Sequence, residues 1–377
     1  MKVLMVLTYY YPHWTGLTAY AVREAEGLAR RGHQVTVLTC QYHSDLAKEE
    51  VHNSVRIVRL KPLMRISRGL VTPSFPCAVY RLIKEHDVIQ LHTPLMESPL
   101  VTWLAHRMGK KVLFTDHGDL VMPAGLFNQT IEFVVTWLMT QALKGSARIS
   151  IHSQDYAEHS AFLRPFKEKL AYIYPPIEIP LPNPEQAAAW RRELGLEKDR
   201  LVGFAGRFVE EKGFDFLLKS IPYVLERMPD VKFVYAGDIN VVYEAFFEKW
   251  RHLVERWKDY IVLLGLILDK QKMANFYAMC DVFALPSRTD CFPSVQVEAM
   301  LCGTPVVATD IPGGRVPVKV TGMGRLVRPQ DERALAEGLV EVLANRAQYI
   351  KPRDAIATVF NLEKSVDEYE QLLLSLV

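Results

Sequence analysis

From Lys2 to Thr8 the chain is a continuous apolar run behind a single charge, the pattern of a strand buried on both faces. A polar loop carrying Pro12 and Gly16 follows. From Thr18 to Arg31 the apolar residues Ala21, Val22, Ala25, Leu28 and Ala29 then fall on one helical face. Gly32 supplies a helix stop, and Gln34 to Thr39 reads as the next strand. Short apolar runs at Val88–Leu91, Val112–Thr115 and Ile149–Ile151 alternate with helical patterns, which predicts a mostly parallel sheet covered on both faces.

The alternation breaks at Tyr174–Pro184, where five prolines fall within eleven residues. Such a stretch fits neither a helix nor a central strand and reads as a linker. Beyond it the alternation resumes at Leu201–Ala205, a helix from about Phe214, then Val231–Ala236, Ile261–Leu264, Val282–Leu285 and Pro305–Thr309. The expectation is an α/β protein of two doubly wound Rossmann-like domains facing across a cleft, with residues 1–173 and 185–355 on either side of a linker at 174–184. Open sheets of this kind bind ligands at the carboxyl ends of their strands. In the last segment, 356–377, Leu362, Val366, Tyr369, Leu373 and Leu376 recur at helical spacing.

Composition narrows the class. The 377 residues, 49% hydrophobic and 23% charged, suffice for two cores, and no apolar run reaches the roughly 18 residues of a membrane span. Met1–Leu7 lacks the long apolar stretch and cleavage site of a signal peptide. A net charge of +2 gives no electrostatic case for nucleic-acid binding. Five cysteines with no Cys-x-x-Cys pair argue against a disulfide framework or a zinc knuckle and point to a reducing cytoplasm. From Val51 to Leu82 stand Arg56, Arg59, Lys61, Arg65, Arg68 and Arg81 with no acidic residue. This stretch reads first as a solvated face, and alternatively as a peripheral contact with anionic lipid at the inner membrane face.

Several motifs are missing. There is no Gly-x-Gly-x-x-Gly after the first strand, no P-loop and no Asp-x-Asp, so any diphosphate handled here must be neutralised by protein cations and amides rather than by a metal held on paired aspartates. Two segments could do that. In Phe204–Gly213, Arg207 and Lys212 follow a buried strand, and Gly206 permits close backbone approach; the alternative is a pair of surface bases bridging Glu210 and Glu211. In Pro286–Gly314, Asp290 lies in a loop and Glu298 about one turn into the following helix. There a carboxylate can accept hydrogen bonds from a vicinal diol, or merely stabilise the helix start.

Together these segments resemble family 4 of the retaining glycosyltransferases, a group with the two-domain GT-B architecture. Gly206-Arg207…Glu211-Lys212-Gly213 resembles its G-R-x(n)-K-G signature, and Asp290 to Glu298 occupies its two-glutamate motif. Cys302-Gly303-Thr304-Pro305-Val306-Val307-Ala308-Thr309 resembles the run behind that motif. Pro12–Leu17, Arg31-Gly32-His33-Gln34-Val35 and Thr115-Asp116-His117-Gly118 occupy three N-terminal landmarks in the same order. The sequence departs from the pattern at Asp290, one methylene shorter than glutamate, at Pro293 and at Thr15.

The resemblance implies an acceptor-binding N-terminal domain, a donor-binding C-terminal domain and a final helix crossing back to the first. It implies that Arg207 and Lys212 neutralise the diphosphate of a nucleotide-sugar donor, foremost UDP-glucose. Glu298 would hold the ribose, and Asp290, with the amides of Cys291 and Phe292, the transferred sugar. Gly206 and Gly16 would allow close approach of the backbone, Ile267 would read the base edge, and His117 would lie near the reacting carbon, with Asp116 or Asp119 orienting its ring. The acceptor would be a glycan or a lipid-linked sugar. His92 is a further acceptor-site candidate, and Trp14 with Tyr9, Tyr10 and Tyr11 forms either a stacking platform or edge packing. No cofactor and no metal are expected. A nucleotide-sugar epimerase of the same architecture and a non-catalytic nucleotide-sugar or glycan binder are the rival readings.

Overall fold

The computed structural model describes residues 1–66, 69–120, 125–238 and 246–377. It divides into two compact units, Met1–Pro176 with Asn361–Val377, and Ile177–Phe360.

The first unit is built on an eight-stranded sheet. Its strands are β1 (Lys2–Val6), β2 (Gln34–Cys40), β3 (Glu49–His52), β4 (Val55–Leu60), β7 (Val88–His92), β8 (Lys111–Thr115), β9 (Arg148–Ile151) and β10 (Leu170–Tyr172), while β5 (Met64–Ile66) and β6 (Gly69–Val71) pair antiparallel as a separate two-stranded sheet. The order is β10-β9-β8-β7-β1-β2-β4-β3, parallel throughout except for β3 on β4. The predicted apolar runs are these parallel strands. The β3–β6 stretch carries no such run and was not legible as strand. Chain direction across the sheet reverses between β1 and β7, which makes the carboxyl ends of those two strands the unit's switch point.

The helix Gly16–Arg30 opens with Thr15 and Thr18 in a reciprocal capping box and buries Ala21, Val22, Ala25 and Leu28. Against it lies the terminal helix Leu362–Leu374, whose Leu362, Val366, Tyr369 and Leu373 enter the same core. Gly27 makes this approach possible, because a Cβ there would sit 2.4 Å from Val366 Cγ2. Polar contacts close the seam: Arg31 pairs with Glu363, Asp367 and Glu370, and His33 Nε2 meets Glu370 at 2.6 Å.

The second unit carries six parallel strands, β11 (Arg200–Ala205), β12 (Val231–Ala236), β13 (Ile261–Gly265), β14 (Val282–Leu285), β15 (Val306–Thr309) and β16 (Gly324–Val327), in the order β13-β12-β11-β14-β15-β16. Its switch point lies between β11 and β14. Among the described residues no helix is long and apolar enough to cross a membrane.

The basic stretch 51–82 is not a uniform surface. Arg59 is buried, donating to Glu50 at 2.6 Å and to the carbonyls of Tyr11 and Ala47, and Arg56 pairs with Glu49 at 3.1 Å. Arg56 also pairs with Glu85 at 3.6 Å, so the acidic partners lie on both sides of the window. Arg68 and the side chain of Arg65 lie outside the described residues.

Candidate functional site

In the second unit the loops after β11 and β14 meet at the switch point. β11 ends at Ala205, followed by Gly206 at φ +153° and the part-buried Arg207. A single 3-10 turn, Glu210–Lys212, ends at Gly213 in the left-handed region at φ +67°, and the helix Phe214–Leu225 begins. A Cβ on Gly213 would lie 1.9 Å from the Pro286 carbonyl oxygen, so the two loops touch backbone to backbone. Gly237, after β12, approaches Gly206 in the same way, and Gly313 approaches the carbonyls of Asp290 and Cys291.

This contact places Lys212 against the second loop. Its Nζ lies 2.7 Å from Asp290 Oδ2 and 2.9 Å from Glu211 Oε1. Burial opposes the ammonium charge, but Asp290 and Glu211 outweigh it and hold the lysine above its ordinary value. Burial, then the charge of Glu211, pushes the Asp290 carboxyl up, while Lys212 pulls it back. The Phe292 amide donates to the Asp290 carboxylate. Lys212 pairs with Glu211, as the surface-base alternative has it, and also with Asp290 of the second loop.

Arg207 lies close enough to the Tyr235 phenol to stabilise its ionised form, although burial dominates and raises that group. Glu298 is the fifth residue of the helix Ser294–Leu301 and accepts from Tyr277 Oη at 3.0 Å. Pro293 provides no side-chain cap, so the first-turn amides of this helix are not spent on their own N-cap side chain. Cys291 and Phe292 are buried beside Asp290. Ile267 follows β13, two strands from β11 at the same carboxyl edge, and Leu266 and Leu268 beside it are exposed.

Sequence reasoning missed the brace behind this site. Arg288 donates to both oxygens of buried Asp215 at 2.8 Å, and its backbone amide donates to the Glu211 carbonyl at 2.8 Å. Burial opposes ionisation of Asp215, but Arg288 and Lys219 hold its carboxyl below the usual carboxylate range. The brace ties the β11 loop to the β14 loop from a sequence distance of 73 residues.

In the first unit, Gly16 is exposed at the start of its helix with open space around it. His117 follows β8, and its ring is held by histidines, not by the flanking aspartates. His92 Nδ1 lies 3.0 Å from His117 Nε2, and His152 Nε2 lies 3.2 Å from His117 Nδ1. Asp116 instead accepts from the Gly118 amide and the Thr93 hydroxyl, and Asp119 accepts from Ser160. Burial pushes Asp116 up to about 7. Burial and the neighbouring His152 and His92 hold His117 well below the ordinary histidine value.

His92 is wholly buried and belongs to this cluster rather than to an acceptor surface. The sequence did hold a signal for the cluster, since three successive predicted strands each run into a histidine. Of the first-loop aromatics, Tyr10 is core and Trp14 is exposed, while Tyr9, His13 and Tyr42 pack together.

Residues 14–179 match the family model described as Glycosyltransferase Family 4, and residues 199–345 match the one described as Glycosyl transferases group 1. An uncharacterized glycosyltransferase of Methanocaldococcus jannaschii is 26% identical over 371 residues, covering 92% of this chain and 90% of that protein. The Escherichia coli UDP-Gal:alpha-D-GlcNAc-diphosphoundecaprenol alpha-1,3-galactosyltransferase is 23% identical, covering 97% and 95%. Among solved structures, Anabaena HepE in complex with UDP-glucose superposes with a TM-score of 0.79 at 18% identity over the whole of both chains.

Proposed function

We propose, on the premise that this chain belongs to the family 4, group 1 glycosyltransferases, that it moves a hexose from a nucleoside diphosphate sugar to a hydroxyl of a glycan or lipid-linked acceptor. The transfer would proceed with retention and without a metal, and UDP-glucose is the foremost donor. The observation that carries the reading is the Lys212–Asp290 pair at the switch point of the second unit, with Arg207 at the end of the adjacent strand and Glu298 in the following helix.

A diphosphate carries two or more negative charges that grow on the leaving group as the sugar departs. In this reading Arg207 and Lys212 meet that charge as it develops, and a preorganised cation stabilises it without reorganisation. Asp290, beside the lysine, would accept from sugar hydroxyls while Lys212 takes a phosphate oxygen. Glu298, which accepts from Tyr277, would accept from a ribose diol. The acceptor hydroxyl attacks the anomeric carbon on the face from which the diphosphate leaves. The bond to the phosphate oxygen breaks, the glycosidic bond forms, and the acceptor's proton passes to the departing phosphate. The lipid-linked substrate named for the Escherichia coli relative and the UDP-glucose bound by HepE support the acceptor class and the donor.

The test is a panel of UDP-glucose, UDP-galactose, UDP-N-acetylglucosamine, GDP-mannose and ADP-glucose with EDTA present, following slow release of nucleoside diphosphate. Release from one donor, abolished in Arg207→Ala and Lys212→Ala, is expected. No release and no calorimetric binding of any donor would overturn the proposal, and a new nucleotide sugar formed without acceptor would point to an epimerase instead.

A further inference from the structure

We propose that His92 and His152 grip the His117 ring by both nitrogens, and that buried Glu24, facing the His92 end of the row, fixes that ring as the neutral tautomer protonated on Nδ1. Its place in sugar transfer rests on the reading above; its geometry does not.

Parallel pairing builds the row. His92 is in register with Thr115, and Thr115 with Ser150, so the residues at or just beyond the ends of β7, β8 and β9 come side by side. The rings link as His92 Nδ1 to His117 Nε2 and His117 Nδ1 to His152 Nε2, at 3.0 and 3.2 Å. Tyr20 walls them in, edge-on to His117 at 4.8 Å and 4.9 Å from His152, with its hydroxyl paired to that of Tyr369.

Neutral imidazoles in such a row can all donate one way or all the other, and the ends decide which. At one end Glu24 is wholly buried. Gln90 Nε2 donates to Glu24 Oε1 at 2.7 Å and to the Thr115 hydroxyl at 2.8 Å, which makes Oε1 an acceptor. Glu24 Oε2 has no partner, and it faces His92 Nε2, which also has none, across 4.0 Å. Among the described residues no lysine or arginine pairs with Glu24, and a carboxyl buried without a cation is carried as the acid. Burial accordingly pushes Glu24 up to about 8.

With Oε1 accepting from Gln90, the proton sits on Oε2 and points at His92 Nε2. His92 then carries its own proton on Nδ1 and donates it to His117 Nε2. His117 in turn donates from Nδ1 to His152 Nε2, which leaves the His152 proton on Nδ1. That nitrogen is buried and has no hydrogen-bond partner among the described residues, so the Glu24 end sets the direction. Glu24, His92 and His152 are thus positioning residues for an uncharged His117 that cannot turn.

The test uses the full chain with imidazole nitrogens labelled, at pH 7 and without any donor sugar. Two-bond proton–nitrogen spectra report each histidine tautomer, and loss of signals in His117→Asn assigns the ring. His117 is expected wholly in the Nδ1–H form. Glu24→Gln should keep that spectrum, since an amide can donate to His92 and accept from Gln90 as the acid does. Glu24→Leu removes the donor and should give a tautomer mixture. An Nε2–H form in the wild type, or a Glu24→Gln spectrum shifted like that of Glu24→Leu, would overturn the proposal.

If Glu24→Leu does not fold, His92→Phe keeps the ring volume and must still disturb the His117 Nε2 resonance; an unchanged resonance would overturn it equally. These spectra stand whether or not turnover is found. Once a donor is known, turnover should be at least tenfold higher in Glu24→Gln than in Glu24→Leu, and equal turnover in the two would overturn the link to transfer.

Discussion

Gly213→Ala probes how the candidate donor site is held together. The residue occupies φ +67°, a conformation that costs an alanine about 1 kcal/mol. The new Cβ would also lie 1.9 Å from the Pro286 carbonyl oxygen, whereas real Cβ contacts essentially never fall below 3.0 Å. The β11 and β14 loops must therefore separate by the difference, about 1.1 Å.

Lys212 is the adjacent residue, and opening its 2.7 Å contact with Asp290 by that amount takes it beyond hydrogen-bond reach. Losing a hydrogen bond to a charged group is worth about 1.5–3 kcal/mol, or roughly 10- to 100-fold in affinity. Gly303→Ala is the control, because Gly303 has φ +85° with open space around it and should show only the conformational cost. Denaturant titration and calorimetry with UDP measure both effects. The expected result is a larger stability loss in Gly213→Ala than in Gly303→Ala, together with weakened UDP binding in Gly213→Ala alone. Equal stability losses with unchanged UDP binding would refute the claim that this backbone contact sets the distance between the lysine and the aspartate.

Arg288→Met should cost about 1.5–3 kcal/mol in denaturant titration, because it removes two charge-assisted hydrogen bonds from the buried Asp215 carboxylate and leaves it only Lys219. The folded-state value of Asp215 is depressed, so its contribution is complete at neutral pH and is lost as pH falls through the carboxylate range. The stability gap between wild type and Asp215→Asn should therefore shrink in acid. Gly27→Ala should destabilise by about 1–3 kcal/mol by pushing the terminal helix off its partner, and Val366→Ala in the same chain should restore much of the loss on thermal unfolding. Glu24, raised from 4.5 to about 8, stabilises fully below its unfolded value and loses that contribution as pH rises through 8. Glu24→Gln should accordingly outlast wild type at pH 9, with the gap closing toward pH 5.

Much of the molecule is legible along the chain, because a buried parallel strand has to be a short apolar run and a left-handed glycine such as Gly32 marks a helix end. Lys2–Thr8, Val88–Leu91, Val231–Ala236 and Val282–Leu285 announce themselves in that way. The cations after β11 and the carboxylates after β14 stand close enough to strand ends to be picked out as a site. β3 to β6 were not legible, since short edge strands and hairpins do not need a continuous apolar run.

Tertiary structure alone decided what those groups do. Gly213 against Pro286 and Arg288 on Asp215 are contacts between loops some 73 residues apart, and they determine that Lys212 pairs with Asp290. Parallel register brings three strand ends together, which gives His117 two histidine neighbours in place of the aspartates beside it in sequence. Local sequence encodes which backbone hydrogen bonds form within an element, but which side chains share a buried space depends on how elements distant in sequence pack, and burial there also decides which of them keep their charge.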